Sequence, residues 1–252
     1  QNEENTTHLN WPWGNKTNSL TWRWLISPKL VARTFLANSR YRFDFNFGLQ
    51  QKGDWREGSE SGTYNEKFEF DFYDIINDNT IETELSWHGI ANHQIMGGFQ
   101  IKKVEYDLGM DFEFETLDTL ISLSPLSQKD QAVESSLFLQ DKWILTQKIV
   151  LQLGGRFMDY SEHDELYFDP RIGFKYLAKE DLSFKLSLGR YHQFLTIANP
   201  EDETWRIIDF WLGITEEQKA PYSDHYILGL EYLSEDNWLF RCETYYKHFE
   251  NL

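Results

Sequence analysis

The chain has 252 residues, a formal net charge of −17 and an aromatic share of 17%. That acidity excludes nucleic acid, which is bound through a basic face, and no run of eighteen apolar residues is present to form a transmembrane helix. The mean hydropathy of −0.59 still suits a membrane β-barrel, because only alternate strand residues meet lipid while the lumen is polar.

Residues 1–5 are polar and acidic, with no secretory leader. They are expected to precede the first strand, the leader being processed or lying upstream. The clearest strand follows over 30–47. Its odd positions carry Val31, Phe35, Ala37, Tyr41, Phe43, Phe45 and Phe47; its even positions carry Thr34, Asn38, Arg40, Arg42, Asp44 and Asn46. This is period two with one apolar and one polar face. The apolar face is expected toward lipid, with its aromatics as an interfacial girdle. The arginine-bearing face suits a water-filled or plugged lumen.

Further along, 68–76 reads as a hairpin arm within a long loop. In 94–108 the alternation slips after Ile101, which predicts a bulge. Cleaner alternation returns in 149–157, 171–176, 182–189 and 238–247. Short turns at 27–29, 91–93, 146–148, 178–181 and 234–237 join strand pairs, and longer connections fall at 48–78, 108–131, 160–167 and 195–222. Short turns on one rim and long loops on the other are the habit of an outer-membrane barrel. The fold class is therefore all-β: an antiparallel up-and-down transmembrane β-barrel segment of about ten strands, with short periplasmic turns and long extracellular loops. An open edge in lipid would leave backbone groups unpaired. With the chain's polar start and its end at Lys247–Leu252, this leads to the expectation that 1–252 is one partial barrel domain of something larger.

Motifs for chemistry are sparse. Seven histidines have no metal-ligand spacing, Cys242 is the single cysteine, and no catalytic constellation, metal site or cofactor is expected. Arg40, Arg42, Arg156, Arg171 and Arg241 are expected on the lumen side, paired with carboxylates of a plug or neighbouring strands, or lining a ligand path. The best site candidate is loop 195–222, which combines Trp205, Arg206, Phe210, Trp211 and Tyr222 with Glu201, Asp202 and Glu203. Flat aromatics beside polar groups grip sugar rings or aromatic ligands; the competing reading is a loop that packs only on its own side chains. Trp55, in loop 48–66, is a weaker candidate of the same kind.

Several segments resemble the barrel of TonB-dependent outer-membrane receptors. Phe138-Leu139-Gln140-Asp141-Lys142-Trp143, then Lys148 and Leu151-Gln152-Leu153-Gly154-Gly155-Arg156-Phe157, resemble the family's "F-x-Q-D-x-W … K … L-x-L-G-x-R-Y" signature. Asp169-Pro170-Arg171-Ile172-Gly173 resembles "S-P-R-x-G", and Ser187-Leu188-Gly189-Arg190-Tyr191-His192-Gln193 resembles "S-x-G-R-x-x-Q". The hairpin around 223–232 and 243–247 is similar to the one that follows. The match is in order and spacing and covers the last half of the chain well.

This resemblance implies a plugged barrel of roughly 22 strands in the outer membrane of a Gram-negative bacterium. It implies import of a scarce, bulky nutrient such as a siderophore, cobalamin or an oligosaccharide, and no enzyme activity. The implied partners are outer-membrane lipid, the plug domain of the same parent chain, the TonB energy-transducing complex through that plug, and a small-molecule or oligosaccharide ligand. The plug, the TonB-contacting segment and the last strands are expected to lie outside this stretch. The rival readings are a passive porin-like barrel and a β-rich glycan-binding module. The latter predicts that the Val31/Phe35/Tyr41/Phe43 face packs on protein and not on lipid.

Overall fold

The structure is a computed structural model that describes residues 3–57, 59–198 and 210–251. In chain order the strands are β1 (Glu3–Asn10), β2 (Trp13–Ser27), β3 (Leu30–Glu57), β4 (Glu60–Trp87), β5 (His93–Glu115), β6 (Leu120–Thr146), β7 (Ile149–Tyr160), β8 (Leu166–Lys179), β9 (Leu182–His192), β10 (Leu195–Ala198), β11 (Phe210–Gly213), β12 (Tyr222–Leu233) and β13 (Leu239–Glu250). All but β10 and β11 form one antiparallel sheet in which chain neighbours pair; β10 and β11 form a separate two-stranded hairpin. β2 runs along the first part of β3 and β1 along the second, so the sheet is ten strands wide. The expectation that the polar start precedes the first strand is corrected: Glu3 to Asn10 pair with Gly53 to Asn46. Between β1 and β2 lies Pro12, which lacks the N–H that a continuous ladder needs.

All five short turns lie where the sequence puts them. In two of them an asparagine takes the left-handed conformation, Asn92 at φ 66° and Asn237 at φ 63°, which asparagine tolerates better than most residues. The long connections differ from expectation. Segments 48–78 and 108–131 are not loops but continuations of the sheet: β3 and β4 pair from Leu30↔Trp87 up to Glu57↔Glu60, and β5 and β6 pair up to Glu115↔Leu120. Residues 68–76 are indeed a hairpin arm, part of β4. The bulge predicted after Ile101 is absent, since β5 pairs without a shift from Ile95 to Glu115 along β4. Its register shift against β6 lies between Met110 and Phe112.

The two faces explain these differences. The inner face is the one that the β10–β11 hairpin covers. On the opposite, outer face, Leu20, Leu36, Ile81 and Ile101 stand side by side across β2 to β5. Below that row the outer face is apolar and exposed, with Leu85, Phe99, Leu137, Leu139, Leu153, Phe157, Ile172 and Leu228. Trp22, Trp24, Trp87 and Trp143, all exposed, approach the short-turn rim, as tryptophans do at a membrane interface. Directly above the row stand Asn18, Asn38, Asn79 and Lys103. The apolar band therefore ends within one residue pair.

At that level the alternation inverts. Below it the inner face is polar, with Glu82, Gln100, Lys102, Glu134 and Arg156. Above it the inner face becomes apolar: Phe43, Phe45 and Phe47 of β3, Phe68, Phe70 and Phe72 of β4, and Leu108, Met110 and Phe112 of β5 form one buried cluster. Thus the Tyr41/Phe43/Phe45/Phe47 face of β3 does not meet lipid, and its phenylalanines are no girdle. Arg40 and Arg42 stand on the outer face, where Arg42 pairs with Asp44 at 2.6 Å, a correction to their lumen placement. The physical cause is the solvent. Strands that rise out of the bilayer meet water on their outer side and must bury their apolar side inward. The apparent slip after Ile101 is the same inversion read along β5. Arg156, Arg171 and Arg241 do lie on the inner face, Arg241 paired with Glu231 at 2.8 Å.

Candidate functional site

The described parts of loop 195–222, residues 195–198 and 210–222, lie on the inner face and pack on the sheet as well as on each other. Its hairpin pairs Leu195 with Gly213 and Ala198 with Phe210, and its base is anchored at three points. The backbone N–H of Trp211 donates to Asp74 Oδ2 at 3.0 Å. The hydroxyl of Tyr160 donates to the carbonyl of Ile214 at 3.1 Å. His163 Nε2 donates to the carbonyl of Thr215 at 2.8 Å, which leaves Nδ1 to accept the Tyr167 hydroxyl and assigns the tautomer by its partners.

Apolar contacts complete the anchor. Leu212 packs against the phenylalanine cluster. Phe194, Ile214 and Ala220 are buried with Val104, Tyr106, Ala132, Met158 and Tyr160 in a second cluster. The rings of Tyr160 and Phe194 stack with centroids 4.6 Å apart. Gly213 sits where a Cβ would come within 2.9 Å of both Tyr106 and the Tyr160 hydroxyl, so the close approach requires glycine. Removing one anchor gives a measurable effect: Tyr160→Phe is expected to weaken docking by about 1 kcal/mol, the usual net worth of one buried hydrogen bond. It would be read as faster hydrogen exchange at the Ile214 amide, which donates to the carbonyl of Phe194. Unchanged exchange would remove Tyr160 from the anchor.

Asp74 is the most unusual group here. It is fully buried, stands on the apolar inner face of β4, and leaves Oδ1 without a hydrogen-bond partner. It lies well above the Ile81 row and so outside the membrane-spanning part. Burial raises its carboxyl to about pKa 6, opposed only by the bond from the Trp211 amide.

Of the site residues expected from sequence, Trp211 is half-buried at this anchor. Phe210 begins β11, and Tyr222 begins β12 with its ring under the Arg190 guanidinium at 4.1 Å. Trp205, Arg206, Glu201, Asp202 and Glu203 lie outside the described residues. Trp55 is not brought to this place. It pairs opposite Gly62 and is partly exposed, its indole lying where a Cβ of Gly62 would be. Asp74 is roughly 40 Å further along β4 at about 3.3 Å per residue. The anchors Asp74, Tyr160 and His163 are not picked out by sequence reasoning. For Asp74 a signal exists: a lone carboxylate in phase with Phe70, Phe72 and Ile76.

Comparison with known proteins agrees with this geometry. No curated protein matches the chain. Among solved structures, a variant of the ferric enterobactin receptor of Pseudomonas aeruginosa superposes with a TM-score of 0.54 at 13% identity, over 94% of this chain and 42% of that one. The siderophore receptor PirA of Pseudomonas aeruginosa gives 0.51 at 16% identity, over 93% and 46%. The RagAB peptide transporter gives 0.54 at 12%, over 93% and 31%. At such identities these likenesses establish the fold, and this chain spans less than half the length of each. The family model described as TonB dependent receptor-like, beta-barrel, a receptor and not an enzyme, matches residues 1–252. The chain belongs to the TonB dependent receptor β-barrel family.

Proposed function

We propose that this chain is part of the barrel of an outer-membrane receptor of a Gram-negative bacterium, one that imports a scarce, bulky nutrient of siderophore, cobalamin or oligosaccharide type. The plug of the parent chain and the TonB complex are its partners in this reading. The observation that carries it is the β10–β11 hairpin seated on the inner face above the apolar band. A loop placed there stands in the path from the outside to the lumen, with Trp211 on it. A ligand entering the lumen meets Trp211 before the charged wall below. A similar solved structure supports the ligand class: the ferric enterobactin receptor of Pseudomonas aeruginosa in complex with enterobactin.

The test is accumulation of labelled ferric siderophores, cobalamin and maltooligosaccharides in cells that make the full-length protein, with and without a protonophore. Uptake of one class that the protonophore abolishes is the expected result. Uptake that persists without the proton gradient would favour the passive porin-like barrel. In the same cells, Trp211→Ala is expected to weaken binding of the accepted ligand by about tenfold, the effect of losing one aromatic contact of about 1.4 kcal/mol. Unchanged affinity would remove Trp211 from the binding surface.

A further inference from the structure

On the outer face, a pair of cations stands at one defined level. Between the Leu20–Ile101 row and Asp44, the outer positions of β2 to β6 carry Lys16, Arg40, Arg42, Lys103 and Lys129 against Asp44, Glu105 and Asp107. Each of these carboxylates is matched: Asp44 by Arg42 at 2.6 Å, Glu105 by Lys103 at 2.6 Å and Asp107 by Lys129 at 3.0 Å. Lys16 and Arg40 are left over. Both are exposed and stand directly opposite one another on β2 and β3. The next residue across from Arg40 is Asn77. Among the described residues no carboxylate lies within ion-pair distance of either. Higher up the same face turns acidic, with Asp71 opposite Asp111 and Glu69 opposite Glu113. The cationic excess is therefore confined to this level, in a chain of net charge −17. Like charges directly opposite in a sheet are destabilising, so the pair is favourable only with an anion beside it.

Two layers lie below the pair. The first is amide: Asn18, Asn38 and Asn79, with Asn38 donating to Asn79 at 2.9 Å. The second is apolar: Leu20, Leu36 and Ile81. These six residues border an open groove of about 490 Å³ on the outer face. From Leu36 to Arg40 the strand rises about 13 Å at about 3.3 Å per residue. Apolar groups, amides and cations thus follow one another in the order in which a lipid at a membrane surface presents acyl chain, polar head and phosphate. The guanidinium of Arg40 offers paired N–H donors that match two phosphate oxygens, and Lys16 adds a point charge.

We propose that Lys16 and Arg40, with the asparagine and apolar layers below them, form a binding site for a phosphorylated lipid of the outer leaflet. The site rests on the outer-membrane reading and is independent of import.

The test is native mass spectrometry of the full-length protein in a neutral detergent, titrated with lipid A and with lipid A stripped of its phosphates. A heat-resistant barrel in the outer-membrane fraction is checked first; its absence removes the outer-membrane reading and the site with it. Wild type is expected to bind lipid A at least about tenfold more tightly than the dephosphorylated form. The Lys16→Gln/Arg40→Gln pair is expected to lose that preference. The Lys52→Gln/Lys67→Gln pair removes the same charge from the far end of β3 and β4 and is expected to behave as wild type. Should the first pair fail to give a heat-resistant barrel, Arg40→Gln alone carries the readout, with a loss of about fivefold. Equal affinity of wild type and the Lys16/Arg40 variants, or an equal loss in the Lys52/Lys67 pair, overturns the site. Inorganic phosphate that displaces lipid A at equal concentration overturns the lipid assignment, since the groove would then contribute nothing.

Discussion

Leu139→Arg is expected to destabilise the folded barrel by about 2–4 kcal/mol, the cost of an arginine facing lipid near mid-bilayer. Leu139 stands on the outer face, 63% exposed, in the middle of the apolar band. Its direct neighbours across the sheet are Gly97 and Gly155, so no flanking side chain can shield a charge placed there. The matched variant is Asn79→Arg, on the same face in the first row above Ile81 and Ile101. It is expected to cost about 0–1 kcal/mol, because near the interface an arginine reaches water or headgroups. Urea unfolding of the full-length protein in lipid vesicles measures both. Equal costs would mean that the band does not end at the Leu20–Ile101 row.

That row is also where reading by alternation stops working. The strands of the second half, such as β7 with Leu151, Leu153 and Phe157, barely leave the membrane. Their outer side is apolar over most of its length, as from Ile149 to Phe157 of β7, so period two gives the correct face. β3 crosses the boundary. Its strongest alternation, Tyr41 to Phe47, lies above the bilayer, where the apolar side faces inward, whereas its lipid-facing part, Leu30, Ala32, Thr34 and Leu36, is weakly apolar. A reader of the sequence assigns the whole strand by its loudest segment and turns it over. The same boundary makes β5 look broken after Ile101, although its pairing is continuous. Short turns are legible because their composition is local. The long extensions of β3–β4 and β5–β6 are not, because polar residues on a water-facing strand resemble a loop.

The candidate site was legible as a segment and not as a mechanism of attachment. Loop 195–222 stands out by its aromatics, and Trp211 is in it. What holds it comes from β4 (Asp74), β7 (Tyr160) and the β7–β8 connection (His163), all distant in sequence. Only the fold brings them together. Arg156 and Arg171 were expected on the lumen side and are there, lining a cavity together with Glu82 and Glu84.

Docking of the β10–β11 hairpin is expected to weaken as pH rises. Asp74 holds the Trp211 amide while buried, and its carboxyl is raised from an ordinary 3.8 to about 6. A hairpin that lifts away returns the group to water and to its ordinary value. The docked state binds the proton more tightly, so its stability is fully present below the ordinary aspartate range and is lost as pH rises through about 6. The shift bounds the loss at about 3 kcal/mol by neutral pH, at 1.36 kcal/mol per unit. The measurement is hydrogen exchange at the Trp211 amide in the full-length protein, corrected for intrinsic rates, between about pH 4 and pH 7. Protection should fall across this range in wild type. Asp74→Asn keeps an oxygen to accept the Trp211 N–H and carries no charge, so protection should become flat with pH and exceed wild type near neutrality. Asp74→Leu removes the acceptor and should lower protection at every pH, since it strands a buried donor at a cost of about 1–3 kcal/mol. No charged neighbour contributes to the shift of Asp74; burial and the Trp211 bond are its only causes. A pH dependence that survives in Asp74→Asn would therefore have to arise outside this anchor and would remove Asp74 as its origin.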